Sequence, residues 1–322
     1  MPNFLSCDWG TSSFRLRLAD TGSGKVLCEE KSAQGTAATF NDWQEIGNAD
    51  NQKRVDFYLA IIQQHISKLA AKTNQPLSGL KLVISGMASS SIGFIDIPYN
   101  ALPLPLDGSG IFTADIKASD NFDYDTLIIS GVRSKNDVIR GEETQLIGCM
   151  EAANPQTNEL FILPGTHSKH MQVKGGLLVG FKTYMTGDFF QLLSQVSLLK
   201  NSVEANDNID WASFKKGVRD GSATNILHAA FKVRTNDLFD TLNKKENYHY
   251  LGGLLIGAEL KELKTTDADA VNLLGGSTLE PYYYAALQEL GIANVRTFPA
   301  AWVDEVVARG QLKIGKQQNL FV

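Results

Sequence analysis

The sequence predicts an α/β protein built in two halves, each opening on a strand, a tight turn and a second strand. Three observations carry this. Near the start, the apolar run Phe4 to Cys7 breaks into Asp8-Trp9-Gly10-Thr11-Ser12-Ser13 and resumes as Phe14-Arg15-Leu16-Arg17-Leu18. In the second half, Ile162-Leu163-Pro164-Gly165-Thr166-His167-Ser168-Lys169-His170 repeats the pattern. With 322 residues, 43% of them hydrophobic, the chain can bury a separate core in each half. Turns rich in Gly and hydroxyls aim backbone N–H and O–H groups into one concavity, which suits phosphate oxygens. One such turn per half suggests a clamp on the two ends of a polyphosphate.

The elements follow in order. Phe4–Cys7, Ser13–Ala19 and Lys25–Ser32 read as a three-stranded meander, joined by Gly10-Thr11-Ser12 and by Thr21-Gly22-Ser23-Gly24. Asn51 to Lys72 carries Val55, Leu59, Ile62, Ile66 and Leu69 at helical spacing. Leu80–Ile84 is a buried strand ending at Ser85-Gly86-Met87, and Pro98–Pro105, with three of the nine prolines, is a loop. Leu127–Ile129 is a short strand, and Val138–Met150 runs from a loop into a helix. A boundary near Asn154-Pro155 divides residues 1–155 from 156–322. Beyond it come the strand–turn–strand at 160–170, helices at Asp188–Leu199, Asn225–Phe231 and Tyr250–Leu263, and a strand at Val271–Leu274. Gly275-Gly276-Ser277 then leads into a helix near Leu279–Leu290, and Val303–Ala308 is a last helix with room to pack back on the first half.

Composition excludes several functions. A net charge of −5 leaves no strongly basic face for nucleic acid, and Lys244-Lys245 is an ordinary solvated pair. Three unpatterned cysteines, Cys7, Cys28 and Cys149, fit a reduced cytoplasmic protein. Phe4–Cys7 is too short for a signal-peptide core, and no apolar run reaches membrane-spanning length. Trp9, Trp43, Trp211 and Trp302 are scattered and mark no interface, so a homo-oligomer is left open.

The motifs carry the chemistry. Taken alone, the Asp8 turn is equally a hairpin whose Asp caps a backbone N–H. Arg15 and Arg17, alternating with Phe14 and Leu16, add two guanidiniums on one strand face just past it. In Pro164–Ser168 the imidazole and hydroxyls stand beside Lys169, which favours a binding turn. Arg140-Gly141-Glu142-Glu143-Thr144-Gln145 places two carboxylates at a helix start. Acidic residues there complement the helix dipole, or one serves as a general base or a water-mediated Mg²⁺ holder. Gly275-Gly276 is plain turn chemistry or a backbone platform for a flat ligand. Gly310–Gln317 resembles a phosphate-binding P-loop, but Gln317 replaces the required Ser or Thr, so it reads as coincidence. His167 and His170 lack nearby ligands in sequence to complete a metal shell.

Together these pieces resemble the sugar kinase, Hsp70 and actin superfamily. More narrowly, Val138-Ile-Arg-Gly-Glu-Glu-Thr-Gln-Leu-Ile-Gly148 is similar to the 2-dehydro-3-deoxygalactonokinase family. So are Ser85-Gly86-Met87, Leu163–Lys169, Tyr184-Met-Thr-Gly187 and Gly253-Leu-Leu-Ile-Gly-Ala-Glu259. The resemblance runs from about residue 4 to about residue 290. His170 and Phe94 stand where Trp is usual there, and Asp188 where Glu is usual. The resemblance implies two ribonuclease-H-like domains, each a mixed sheet flanked by helices, around a nucleotide cleft that closes over ligand. This is the actin-like ATPase/sugar kinase fold.

It further implies ATP- and Mg²⁺-dependent phosphorylation of the terminal hydroxyl of a small sugar acid, 2-dehydro-3-deoxy-galactonate. Asp8 would hold Mg²⁺ through water, and Gly10, Thr11 and Ser12 would meet the γ-phosphate. Gly165, Thr166 and Ser168 would cradle the β-phosphate, and Gly275 and Gly276 the adenosine. Glu142 is the expected base, with Glu143 as its alternative. Arg15 or Arg140 would bind the substrate carboxylate, and Ser85 and Ser89 would donate to its carbonyl or hydroxyls. Other readings stay open at this stage: a kinase of the superfamily for another sugar, or a regulator that binds ATP and transfers nothing.

Overall fold

The computed structural model describes residues 3–47, 50–150, 153 and 156–321, so the boundary expected at Asn154-Pro155 lies outside the described residues. The chain forms two compact units. Unit 1 comprises Met1–Pro155, Gly176–Gly180 and Asp304–Val322; unit 2 comprises Gln156–Gly175 and Phe181–Val303. The second half, 156–322, thus keeps neither its last residues nor a short piece of its third strand.

Unit 1 starts with the meander β1 (Asn3–Trp9), β2 (Phe14–Asp20) and β3 (Val26–Ser32), followed by α1 (Thr36–Glu45) and α2 (Asn51–Thr73). Then come β4 (Lys81–Gly86), β5 (Asn100–Ala101), β6 (Leu104–Pro105), β7 (Thr113–Ile116), β8 (Thr126–Ile129), β9 (Val132–Arg133), β10 (Val138–Ile139) and α3 (Glu142–Cys149). The main sheet has the order β3-β2-β1-β4-β8-β7, with β1, β4 and β8 parallel and the outer pairs antiparallel. Period-2 alternation sorts its residues. Leu5, Cys7, Trp9, Phe14, Leu16 and Leu18 pack with the α2 stripe Tyr58, Leu59, Ile62, Ile66 and Leu69 in one core. Asp8, Arg15 and Arg17 therefore lie on the opposite face. Asp50 caps α2, accepting from the N–H groups of Gln52 and Lys53. The proline-rich segment 98–105, expected to be a loop, contains the two-residue strands β5 and β6.

Unit 2 opens with β11 (Asn158–Leu163), β12 (Ser168–Lys174) and β13 (Leu177–Tyr184), whose first residues pair with β6 inside unit 1. Helices α4 (Thr186–Gln195), α5 (Trp211–Ala223), α6 (Ile226–Leu238) and α7 (Lys244–Leu260) follow, then β14 (Ala270–Leu273), α8 (Glu280–Glu289), β15 (Val295–Thr297) and α9 (Ala300–Gln317). β11 runs antiparallel to β12 and parallel to β14. The α5 segment carries no helix expectation in the sequence, since Gly217 and Gly221 weaken its helical signal. Packing supplies the reason for them. A Cβ on Gly217 would lie 2.1 Å from the Tyr250 carbonyl oxygen, and one on Gly253 of α7 2.0 Å from that of Phe214. The two helices cross at backbone contact.

α9 runs well past the expected Ala308, so the P-loop-like Gly310–Gln317 is helical and offers no phosphate loop. No helix among the described residues is long and apolar enough to cross a membrane.

Candidate active site

In unit 1 the site is built at the ends of β1 and β4. Asp8 pairs with Arg15 across β2 and with Ser85 across β4. After Trp9 the chain turns, closed by the Gly10 N–H donating to the Ser13 carbonyl at 2.9 Å. The start of α1 then holds that turn from behind. The N–H groups of Thr36 and Ala37 donate to the carbonyls of Gly10 (3.0 Å) and Thr11 (3.1 Å), and Trp9 Nε1 donates to the Gln34 carbonyl. Gly35 makes this approach possible, because a Cβ there would lie 2.2 Å from the Thr11 oxygen. Thr11 and Ser12 are exposed at the tip.

The second backbone contact joins Gly86 and Gly141, both at positive φ (92° and 112°). A Cβ on Gly141 would meet Gly86 Cα at 3.3 Å, and one on Gly86 would meet the Trp9 carbonyl oxygen at 2.7 Å. This contact brings the start of α3, with Glu142, to the end of β4. Burial pushes the Asp8 carboxyl up from the ordinary carboxylate range; Arg17 and Arg15 oppose this, and the nearby Glu142 charge adds to it. Arg15 Nη1 lies 3.6 Å from Asp8 Oδ2, with the arginine side chain 46% exposed.

The two glutamates differ sharply. Glu143 is fully buried; both its oxygens accept from the Gly141 N–H (2.9 and 2.7 Å) and Oε1 accepts from Thr144 Oγ1. Burial, with the Glu142 charge second, raises its pKa to about 7. Glu142 is only half-buried, and its Oε2 accepts from the Arg140 N–H at 3.0 Å.

Three residues expected to contact a substrate have other duties here. Arg140 Nη1 donates to the Ser89 carbonyl and, at 2.7 Å, to Ser89 Oγ, and its guanidinium stacks 4.1 Å from the Tyr99 ring centroid. Ser89 and Ser85 are buried. Ser85 Oγ accepts from Gln311 Nε2 at 2.9 Å, and the same amide donates to the Cys7 carbonyl at 2.7 Å. Sequence reasoning missed Gln311 because it arrives from the far end of the chain.

In unit 2 the turn between β11 and β12 exposes Thr166 and His167. The first turn of α4 packs against it. A Cβ on Gly187 would lie 2.7 Å from the Gly165 oxygen, and the Asp188 N–H donates to the Thr166 carbonyl at 3.1 Å. An α-helix N-terminus beside such a turn favours anions. Ser168 faces away from the tip: it is buried and donates to Glu259 Oε1 at 2.7 Å. Glu259 also accepts from Thr186 Oγ1 and, at 2.7 Å, from the Tyr283 hydroxyl, with His170 Nε2 at 2.9 Å. Burial alone would raise this carboxyl; His170 and the hydroxyls outweigh it and hold it below the usual range. His170, on β12, thus meets a carboxylate brought from helix α7, although no group of three or more side chains that could hold a metal ion occurs among the described residues.

Beside the turn lies an apolar cavity of about 360 Å³, lined by Gly165, Thr166, Gly187, Tyr248, His249 and Tyr282 among others. Its wall continues through Thr278 and Leu279, just past Gly275 and Gly276. Gly275 is buried, and a Cβ on it would touch Glu280 Cα at 2.8 Å; Gly276 is exposed with open space beside it. The aromatic lining was not read from the sequence. Its one visible trace was Gly252 beside Gly253 in an apolar helix, since Gly252 also faces the cavity.

A strand–turn–strand opens each unit, with Thr11 and Ser12 at the tip in unit 1 and Thr166 and His167 in unit 2, where the turn adjoins an aromatic cavity. These features belong to the actin-like ATPase and sugar kinase fold. Its structural neighbours include component A of the (R)-2-hydroxyglutaryl-CoA dehydratase of Acidaminococcus fermentans (TM-score 0.52, 12% identity, 99% of this chain and 100% of that one). The chain belongs to the 2-keto-3-deoxy-galactonokinase family, whose sequence profile matches residues 8–314. A Rhizobium meliloti protein named as a probable 2-dehydro-3-deoxygalactonokinase is 30% identical, over 95% of this chain and 94% of its own. The Escherichia coli 2-dehydro-3-deoxygalactonokinase is 33% identical over 65% of this chain and 71% of its own. A crystal structure from Sinorhizobium meliloti, assigned to the same activity, superposes with a TM-score of 0.78 at 27% identity, covering 99% of this chain and 96% of that one.

Proposed function

We propose that the chain is an ATP-dependent kinase that phosphorylates the terminal, 6-hydroxyl of 2-dehydro-3-deoxy-D-galactonate in galactonate breakdown. The observation that carries this reading is the pair Asp8 and Glu142, one carboxylate at each side of the Gly86–Gly141 contact, next to the exposed Thr11-Ser12 tip. Family membership and the relatives' names support the choice of acceptor.

Phosphoryl transfer needs little covalent chemistry from the protein and much positioning and charge stabilisation. Glu142 takes the proton of the acceptor hydroxyl as its oxygen bonds to the γ-phosphorus and the bond to the ADP oxygen breaks. Glu143 suits this less, because its oxygens are buried and already accept from Gly141 and Thr144. Gly10, Thr11 and Ser12 hold the terminal phosphoryl group. Asp8 fits a Mg²⁺ ion held through water: Mg²⁺ keeps several waters and takes one or two carboxylates plus substrate phosphates, needing no protein cage. When bound, Mg²⁺ neutralises charge on the phosphate oxygens. Gly165 and Thr166 hold the inner phosphates, with Ser168 supporting the turn from behind. The aromatic cavity beyond Gly275 and Gly276 holds the adenosine.

Arg15, half-exposed beside Asp8, binds the sugar-acid carboxylate. Ser85, Ser89 and Arg140 are engaged within the protein, Ser85 with Gln311 and Ser89 with Arg140, and serve the site as its supporting frame. The test is coupled ADP release with 2-dehydro-3-deoxy-galactonate, its gluconate epimer and common hexoses, on wild type and Glu142→Gln. Turnover confined to keto-deoxy acids, with kcat reduced by about 10²–10⁴ in the variant, is expected. Turnover on a hexose would discard the acceptor, and ATP binding with no acceptor-dependent release would discard the kinase.

A further inference from the structure

We infer that Glu259 is a positioning residue that sets the phosphate-binding turn of unit 2, so that its charge governs affinity for the phosphates and not for the nucleoside. The inference rests on the nucleotide reading of the adjacent cavity. Glu259 lies on α7 one turn beyond Leu255 and Ile256, and two beyond Gly252, on the stripe that lines that cavity. It is buried, yet held ionised by its partners.

Each carboxylate oxygen has two partners. Oε1 accepts from Ser168 at 2.7 Å and meets His170 Nε2 at 2.9 Å, and Oε2 accepts from Thr186 and from Tyr283 at 2.7 Å. Ser168 and His170 open β12, directly after the turn. Thr186 opens α4, whose next residue, Gly187, touches Gly165 and Thr166. Tyr283 belongs to α8 on the far wall of the cavity. One ion therefore fastens both segments that frame the turn.

A buried carboxylate costs several kcal/mol in desolvation unless charge-assisted hydrogen bonds offset it. Four partners at one carboxylate do so, and they make the charge specific. An amide at this position has a single acceptor oxygen, and its NH₂ would face hydroxyls that themselves need an acceptor. Glu259→Gln keeps the volume and breaks one side of the knot. Glu259 touches no reacting atom. Of the cavity lining, its hydrogen bonds reach Thr186 and Tyr283, and none goes to Tyr248, His249 or Tyr282.

The experiment is calorimetric titration of wild type, Glu259→Gln and Ser168→Ala with ATP, ADP and adenosine, alongside KM for ATP and for the acceptor. Losing one side of the knot should weaken ATP and ADP binding about tenfold, as 1.4 kcal/mol does. Adenosine affinity and the acceptor KM should stay within about twofold, and KM for ATP should rise more than kcat falls. Ser168→Ala, which leaves the carboxylate three partners, should show a smaller loss of the same selectivity, and it answers the question should Glu259→Gln fail to fold. Parallel loss of adenosine and ADP affinity, or wild-type affinities in both variants, would overturn the inference. Wild type that binds neither adenosine nor ATP would instead overturn the nucleotide reading beneath it.

Discussion

At the scale of single residues, Glu142 and Glu143 show how much one position along a helix start decides. Sequence made them near-equivalent; the structure buries one and leaves the other half open beside Asp8. Glu143 then makes a prediction about pH. Its folded-state pKa lies near 7, above the ordinary 4.5, so the folded protein binds its proton more tightly than the unfolded chain does. That contribution to stability is fully present below about pH 4.5 and is lost as pH rises through 7, a change of roughly 3 kcal/mol across the window. Urea denaturation at steps from pH 4.5 to 8 should show this decline in wild type and a flatter profile in Glu143→Gln. Equal slopes in the two proteins would contradict it. Asp8 has a separate test. Asp8→Asn should reduce kcat by about 10²–10³ with little change in KM for the acceptor, because it removes charge stabilisation that matters most in the transition state. A change confined to KM would reassign Asp8 to substrate binding.

At the scale of elements, close backbone approaches place the site, and they were the least legible feature. Gly35 is one. Gly35→Ala puts a methyl within 2.2 Å of the Thr11 oxygen, so α1 and the Gly10–Ser12 turn must separate. Steady-state kinetics should show kcat falling by at least about tenfold, the cost of losing even one well-aligned group at 1.4 kcal/mol, while far-UV circular dichroism stays native. Unchanged kcat would mean that the turn does not meet the transferring group. Helix α5 is a second case. Its Gly217 and Gly221 argue against a helix when read alone, and only the α7 crossing explains them. By contrast, β1, β2, α2, β4 and both strand–turn–strand units were legible, because alternation or 3.6-residue periodicity declares which face is buried. The tight turns after β1 and β11 were legible from their Gly and hydroxyl content. The aromatic cavity wall, Glu259 and Gln311 were not, because each gains its meaning from partners tens to hundreds of residues away.

For the molecule as a whole, the two units are not two consecutive stretches of chain, and that has a consequence for folding. Unit 1 is completed only by residues from Asp304 onward. Within it, α9 buries Val306, Val307, Leu312 and Ile314 and sends Gln311 to the Cys7 carbonyl and Ser85. It also crosses α3 at backbone contact: a Cβ on Gly148 would lie 1.9 Å from the Val306 oxygen, and one on Gly310 1.9 Å from the Thr144 oxygen. The helix that presents Glu142 therefore leans on the last helix of the chain. Burial of several large aliphatic side chains, at about 1.5–3 kcal/mol each, is comparable to the whole stability of a domain. A chain ended at Val303 should thus lose the native state of unit 1 while keeping that of unit 2, whose α5–α7 crossing and cavity wall need nothing beyond that point. Hydrogen exchange read by mass spectrometry should show fast exchange in peptides covering β1, β4 and α3, and native protection in those covering α5 and α7. Calorimetry should show adenosine still bound, and coupled ADP release should show no acceptor-dependent turnover. Native protection of β1 and α3 in the shortened chain would show that α9 is dispensable to the unit that carries Asp8 and Glu142.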